Sequence, residues 1–127
     1  MANYETQVVV IAAGPSGLSA AVQAAEDGAE VIVLEKAAAV GGAANMGMGP
    51  LGIGTKYQKQ QMEDITVEKA FNMFMEYTHY NVDARLVKRY FEQSGETIEW
   101  LEDMGDEFEG AYRYFPKSEP TWHIVKT

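Results

Sequence analysis

The stretch 8–36 decides the fold and reads VVVIAAGPSGLSAAVQAAEDGAEVIVLEK. The apolar, β-branched run at 7–11 is typical of a strand buried on both faces. Pro15 then suits the first turn of a helix, where its missing N–H costs nothing. A second apolar run at 30–35 predicts another buried strand. Residues 6–36 therefore predict a βαβ unit with parallel strands.

The turn between the first strand and the helix carries two of the three glycines of the pattern G-x-G-x-x-G. Gly14 lets backbone approach phosphates and Gly17 lets the helix pack on the strand, whereas Ala12 occupies the first glycine position. A methyl group at residue 12 is tolerated if its φ is negative and costs about 1 kcal/mol if its φ is positive. Because a helix N-terminus favours a pyrophosphate, we expect a dinucleotide site that Ala12 impairs at most.

A carboxylate ends the second predicted strand. Glu35 follows the glycines at roughly the 20-residue spacing at which an acidic side chain accepts hydrogen bonds from ribose hydroxyls. It would repel a 2′-phosphate, which disfavours NADP, and Lys36 should point to the opposite face. A P-loop does not fit, because no Gly-Lys-Ser/Thr follows the turn. These residues leave two interpretations, a dinucleotide site and a doubly wound domain without a ligand.

Composition narrows the range of functions. The chain has 127 residues, of which 46% are hydrophobic and 23% charged, and this balance predicts one globular domain. A net charge of −9 disfavours nucleic acid and anionic membranes as partners, because phosphate contacts need Lys or Arg. Without cysteine, and with two distant histidines, we predict no metal site. No apolar run reaches the roughly 20 residues of a membrane span, and no signal-peptide pattern is present, so we expect a cytoplasmic protein.

The remainder of the chain predicts a loop, helices and a final strand region. Residues 37–64 form a glycine-rich loop that opens with AAAVGGAANMGMGPLGIG, and its lack of charge favours an ordered loop against an apolar neighbour. Residues 66–105 predict helices. Residues 106–127 predict two short strands or a hairpin, with turns at Gly110 and near 116–120.

The helical region 66–105 predicts three helices. Thr66 caps the first, which runs to about Tyr80, and Asp83 caps the second. We expect a break at 94–95 before the third helix, which ends at a left-handed Gly105. The side chains expected to face the core are Val67, Ala70, Phe71, Phe74, Thr78, Leu86, Val87, Tyr90, Phe91, Ile98, Leu101 and Met104.

The βαβ stretch followed by GGAANMGMG resembles the N-terminal FAD-binding segment of the fumarate reductase/succinate dehydrogenase flavoprotein family. The helical stretch NVDARLVKRYFEQSGETIEWLEDMGDEFEG is also similar to that family. The resemblance spans almost the whole chain and implies an α/β, partial Rossmann-like FAD-binding fold followed by a helical segment. Because family members are several times longer, we expect residues 1–127 to be an N-terminal part of the FAD-binding domain, truncated relative to the family and inactive alone.

The resemblance implies FAD and a role for each residue around it. Glu35 would hold the adenosine ribose, with Lys36 beside the adenine end, and Gly49 would approach the isoalloxazine. No histidine follows the double glycine 41–42, where some family members attach flavin covalently, so FAD should be non-covalent. The residues implied along the pyrophosphate and the rest of FAD are Ala12, Ala13, Gly14, Pro15, Ser16, Gly42, Ala43 and Ala44.

The resemblance also implies an activity, hydride transfer through flavin to or from an activated C=C bond of a small carboxylate-bearing substrate. His123 stands near the position of a substrate-binding histidine of soluble fumarate reductases, and an ordinary packed or surface histidine is the alternative. His79 should face solvent. Two other functions stay open, an NAD-binding Rossmann-type dehydrogenase and a ligand-free structural or assembly module. The open edges of a two-stranded sheet favour self-association.

Overall fold

A computed structural model describes residues 3–126, and the chain divides into two compact units, 1–47 and 48–127. The boundary falls inside the predicted glycine-rich loop. The first unit contains β1 (Val8–Ile11), α1 (Pro15–Glu26), β2 (Val31–Leu34) and a 3₁₀ helix (Gly42–Met46). The second unit contains α2 (Lys56–Gln60), α3 (Val67–Tyr77), α4 (Ala84–Asp103), β3 (Phe108–Arg113) and β4 (Pro120–Val125). Across residues 3–126, no helix combines the length and the apolar character that a bilayer span requires.

The first unit is a parallel βαβ arrangement, as the sequence predicts. β1 and β2 pair in register, from Val8 opposite Val31 to Ile11 opposite Leu34. Pro15 occupies the first turn of α1. The α/β class and the parallel strand pair predicted from the sequence are therefore confirmed.

The prediction that both strands are buried on two faces is wrong for the described residues. Val9, Ile11 and Leu34 are 54%, 82% and 53% exposed. The reason is that the sheet of the first unit has two strands, and α1 packs on one face of it. The β-branched composition predicts the strands, but burial depends on what covers them.

The turn between β1 and α1 shows which φ Ala12 adopts, and so whether its methyl group is tolerated or strained. Its φ is 81°, so the backbone is left-handed and the methyl group is strained. Gly17 in α1 sits directly over this residue, because a Cβ atom added at Gly17 would lie 2.0 Å from the carbonyl oxygen of Ala12. The third glycine of the pattern therefore allows the helix to pack on the turn, as predicted.

The second unit packs α3 and α4 together beside the antiparallel hairpin of β3 and β4. The chain just before α2 extends this hairpin, because Leu51 forms an antiparallel bridge with Trp122. The core cluster consists of Ile53, Ile65, Ala70 and Phe91. The predicted hairpin is present, two helices stand where three are predicted over 66–105, and the loop 37–64 contains two short helices that are not among the predicted elements.

The residues at the helix ends are those predicted from the sequence. The hydroxyl of Thr66 accepts a hydrogen bond from the N–H of Lys69 at 3.1 Å, and Asp83 accepts from the N–H of Arg85 at 2.9 Å. Gly105 follows α4 with a φ of 104°. These helix ends are determined by nearby residues, since a cap requires only the capping residue and the first or last turn of its helix.

The predicted break at 94–95 is wrong, because α4 runs without interruption from Ala84 to Asp103. The hydroxyl of Ser94 accepts a hydrogen bond from the N–H of Ile53 at 3.1 Å. A Cβ atom added at Gly95 would lie 2.7 Å from the carbonyl oxygen of Ile53. Both residues therefore form the surface on which the segment around Ile53 packs, and tertiary contact outweighs their low helix propensity.

Five further positions differ from the prediction. Gly110 lies within β3, beside an irregularity in the strand register, and the hairpin turn follows β3. Leu86, Tyr90 and Met104, expected in the core, are 69%, 53% and 45% exposed, and Phe74 of α3 is 37% exposed. Helical periodicity identifies one apolar stripe of α4, but the packing partner selects which part of that stripe is buried.

We predict that Gly95→Ala destabilises the chain by about 1–2 kcal/mol, although alanine is the better helix former. The added methyl group would meet the carbonyl of Ile53, and the overpacking cost exceeds the gain in helix propensity of about 1 kcal/mol. Chemical unfolding followed by circular dichroism would measure the change. The exposed neighbour Glu96→Ala serves as the control and should shift stability by less than about 0.5 kcal/mol. Equal stabilisation by both variants would contradict the packing role.

We predict that Ala12→Gly stabilises the chain by about 0.5–1 kcal/mol. Glycine removes left-handed strain of about 1–2 kcal/mol and gives back part of it as unfolded-state entropy. The matched control is Ala13→Gly, at a buried position without positive φ, which should destabilise. Urea unfolding of both variants provides the measurement, and a loss of stability in Ala12→Gly would refute the strain.

Candidate cofactor-binding site

The N-terminus of α1 is the only α-helix start in residues 3–126 that lacks a side-chain cap. Gly14 is its N-cap residue and provides no side-chain hydrogen bond, and its first turn contains no acidic residue. By contrast, Thr55, Thr66 and Asp83 cap the other three helices through their side chains. The first-turn N–H groups of α1 are thus available as donors to a ligand, where the helix dipole also favours negative charge.

The space in front of this helix end is open on one side and bounded by backbone on the other. A Cβ atom added at Gly14 would meet no heavy atom within 4 Å. The N–H of Gly41 donates to the carbonyl of Ala13 at 2.7 Å, and a Cβ atom at Gly42 would lie 3.3 Å from the Cα of Gly14. The double glycine therefore brings the 3₁₀ helix close to the N-terminus of α1.

Glu35 also lies beside the N-terminus of α1. One of its carboxylate oxygens accepts a hydrogen bond from the N–H of Ala13, and the other accepts from the N–H of Ala37, both at 2.8 Å. These two backbone hydrogen bonds, that of Ala37 first, lower the pKa of Glu35 below its usual value. The carboxylate is therefore ionised at neutral pH, and it keeps lone pairs for further donors such as hydroxyl groups.

Most of the predicted site residues come together in the first unit. Residues 12–16 form the turn and the start of α1, and Glu35 is tied directly to Ala13. Lys36 follows Glu35 and is exposed. Ala43 and Ala44, which follow Gly42 in the 3₁₀ helix, are exposed as well. The arrangement offers N–H donors for an anion next to a fixed acceptor for hydroxyl groups, the two needs of a dinucleotide.

Two predicted residues, Gly49 and His123, belong to the second unit and contact each other there. A Cβ atom at Gly49, whose φ is 138°, would lie 1.8 Å from the carbonyl oxygen of His123. The His123 side chain is 0% exposed, and its ring nitrogens lie 2.8 Å from the Thr55 hydroxyl and 3.1 Å from the carbonyl oxygen of Thr121. Burial lowers the pKa of His123. This geometry is that of a packed histidine, with no ring nitrogen directed to a substrate, while His79 is exposed as predicted.

Ala37 and Gly41 are not among the residues predicted to form the site. Both act through backbone N–H groups, Ala37 on Glu35 and Gly41 on Ala13. A backbone donor leaves no mark in the side-chain sequence, although the double glycine at 41–42 signals a close approach. Within residues 3–126, no group of three or more His, Asp or Glu side chains is placed to hold a metal ion.

The comparisons with known proteins agree with this geometry. The sequence profile of the FAD binding domain family matches residues 7–125. Vinyl phenol reductase of Lactiplantibacillus plantarum is 35% identical over 119 residues, which make up 94% of this chain and 24% of that protein. The chain therefore spans about a quarter of the length of this relative.

Two solved structures are similar in fold. The open conformation of a flavocytochrome c3 fumarate reductase matches with a TM-score of 0.85 and 31% identity, covering 93% of this chain and 21% of that one. The 3-ketosteroid-Δ4-(5α)-dehydrogenase of Rhodococcus jostii RHA1 matches with a TM-score of 0.84 and 28% identity, covering 100% of this chain and 32% of that one.

The uncapped helix end, its open approach and the anchored carboxylate fit FAD, and the profile match extends over nearly all of the chain. The NAD-binding and ligand-free alternatives are not favoured. The chain belongs to the FAD-binding domain family and resembles fumarate reductases and related flavoprotein oxidoreductases, with FAD as its cofactor.

Proposed function

We propose that the first unit binds FAD non-covalently, with the pyrophosphate at the N-terminus of α1 and the adenosine ribose at Glu35. The observation that carries this proposal is the hydrogen bond between Ala13 N–H and Glu35, which fixes a hydroxyl acceptor beside an uncapped helix end. An FAD molecule presents a diphosphate and a ribose diol in the same order. The two groups would therefore meet complementary partners on one edge of the strand pair.

Each proposed contact follows from the chemistry available at its position. The backbone from Ala12 to Ser16 supplies the turn and the N–H donors for the pyrophosphate, and Gly14 leaves room for it. Lys36 would lie beside the adenine end. The small residues Gly42, Ala43 and Ala44 would continue along the cofactor with little steric hindrance. For Gly49, the family resemblance supports a role at the isoalloxazine.

Non-covalent binding is supported by the residues of the 3₁₀ helix and the glycine before it. The stretch 41–46, GGAANM, contains no histidine, cysteine or tyrosine that could form a bond to the flavin. Retention of FAD would then depend on hydrogen bonds and packing alone. Denaturation with acid or guanidinium should release all of the flavin as free FAD.

For the whole protein we propose reduction of an activated C=C bond of a small, carboxylate-bearing substrate. The similarity to vinyl phenol reductase and to a fumarate reductase supports this reaction class. Bound FAD would supply hydride transfer, while the residues described here hold and orient it. The packed ring of His123 does not support its role in binding the substrate, so contacts to substrate are proposed to come from other residues.

Two further proposals concern the cellular location of the protein and the association between its copies. We propose a cytoplasmic location, which cell fractionation would test. The exposed apolar side chains of β1 and β2, Val9, Ile11 and Leu34 among them, favour association between copies of the chain. A monomer at all concentrations in light scattering would contradict the second proposal.

We predict that Glu35→Gln weakens FAD binding about tenfold, because the neutral amide loses a charged acceptor for the ribose hydroxyls. Titration of the apoprotein with FAD, followed by flavin fluorescence, would measure the dissociation constant. The amide oxygen can still accept from the N–H of Ala13, whereas the amide nitrogen cannot accept from the N–H of Ala37. Because Ala37 is exposed, water can replace that acceptor, and the far-ultraviolet circular dichroism spectrum should be unchanged.

The control for this experiment is Glu30→Gln, an exposed glutamate just before the other end of β2. It makes the same change in charge, and we expect its affinity for FAD to equal that of the unsubstituted chain. Equal affinity of Glu35→Gln and Glu30→Gln would contradict the assignment of the ribose to Glu35.

A further inference from the structure

The segment 49–55 of the second unit pairs with β4 at residues 50–52, around an antiparallel bridge between Leu51 and Trp122. The carbonyl of Pro50 accepts a hydrogen bond from the N–H of His123, and the N–H of Gly52 donates to the carbonyl of Thr121, both at 2.9 Å. The segment lies so close that a Cβ atom at Gly52 would be 2.8 Å from Cε1 of the His123 ring. The imidazole therefore packs directly on this segment.

The ring of His123 also joins the end of the segment to β4 through its two nitrogens. The carbonyl of Thr121 can only accept, so Nδ1 carries the proton and donates across 3.1 Å. Nε2 of the neutral ring is then an acceptor for the hydroxyl of Thr55, at 2.8 Å. The same Thr55 hydroxyl is the N-cap of α2. One neutral imidazole thus connects β4, the segment 49–55 and α2.

The charged and titratable groups facing His123 come from α2 and α4. Glu102 of α4 attracts a proton to the ring, but it is already shared between the ammonium of Lys56, at 2.7 Å, and the hydroxyl of Tyr57. The Tyr57 ring packs against the imidazole, with 5.7 Å between ring centroids. Desolvation outweighs the attraction of Glu102 and disfavours the charged ring.

We propose that His123 is a pH-sensitive latch, whose neutral ring holds segment 49–55 on β4 and whose protonation releases the segment. A protonated ring donates from both nitrogens, so the hydroxyl proton of Thr55 loses its acceptor in a buried position. The charged ring also has to remain in an apolar site. Both costs disappear when the segment moves away and water reaches the ring.

The direction of the pH effect follows from proton linkage. Burial lowers the pKa of His123 in the closed form, whereas the released ring titrates near the ordinary value of 6.5. The closed form is therefore fully favoured above about pH 6.5 and loses stability as pH falls toward and through its lowered pKa. Because one proton is involved, amide protection in the segment should fall by up to about tenfold per pH unit within this window.

The test is amide hydrogen exchange of Gly52 and Ile53, measured on the whole chain between pH 5 and 7.5 and corrected for intrinsic exchange. His123→Gln should remove the dependence of their protection on pH in this range. The chain has one other histidine, so His79→Asn is the matched control. Asparagine tolerates the left-handed backbone of residue 79, whose φ is 51°, and this variant should keep the pH profile of the unsubstituted chain.

A second measurement needs no substitution and covers the case in which His123→Gln does not fold. The protection of Ile53 should begin to fall below about pH 6.5 and should level off near the pH at which the ring proton shifts of His123 in the unsubstituted chain show their midpoint. Protection that stays constant between about pH 6.5 and that midpoint would overturn the latch, as would loss of the pH profile in His79→Asn. FAD is absent from every sample, so the outcome does not depend on the proposed function.

Discussion

Backbone-to-backbone approach that leaves no room for a side chain is the constraint on which both units depend. In the first unit α1 packs on the carbonyl of Ala12 because residue 17 is glycine. In the second unit the segment around Ile53 packs on α4 because residue 95 is glycine. Each contact places a functional or buried element within hydrogen-bonding distance of its partner. A methyl group at either position would meet a carbonyl oxygen, which cannot move without shifting its strand or segment.

The chemistry of the first unit depends on a single carboxylate. Glu35 is held by two backbone N–H groups, so its position follows that of the main chain. The same hydrogen bonds keep it ionised, because they favour the charged form. A rigid acceptor costs little entropy on binding, which suits the contact with ribose hydroxyls that we propose for Glu35. The uncapped start of α1 supplies the complementary donors.

The second unit contains an internally satisfied polar cluster around Gln58 and His123. Within the described residues, every buried side-chain nitrogen and oxygen has a hydrogen-bond partner. Gln58 donates to the carbonyls of Gly52 and Pro120, and Thr55 and His123 bond to each other. Such a cluster specifies one arrangement of the chain before α2, because any other arrangement would leave buried polar groups unpaired.

The sequence by itself determined what depends on local residues: the β-branched strands, the caps at Thr66 and Asp83, and the spacing between the glycines and Glu35. These features need only neighbours within a turn or a strand, or a fixed separation along the βαβ unit. Only the tertiary structure decided that α4 passes through Ser94 and Gly95 without a break, and that the His123 ring is buried. Those outcomes depend on Ile53 and Thr55, which lie far away in the sequence. Propensity and periodicity contain no information about such partners, so packing settled what the sequence left open.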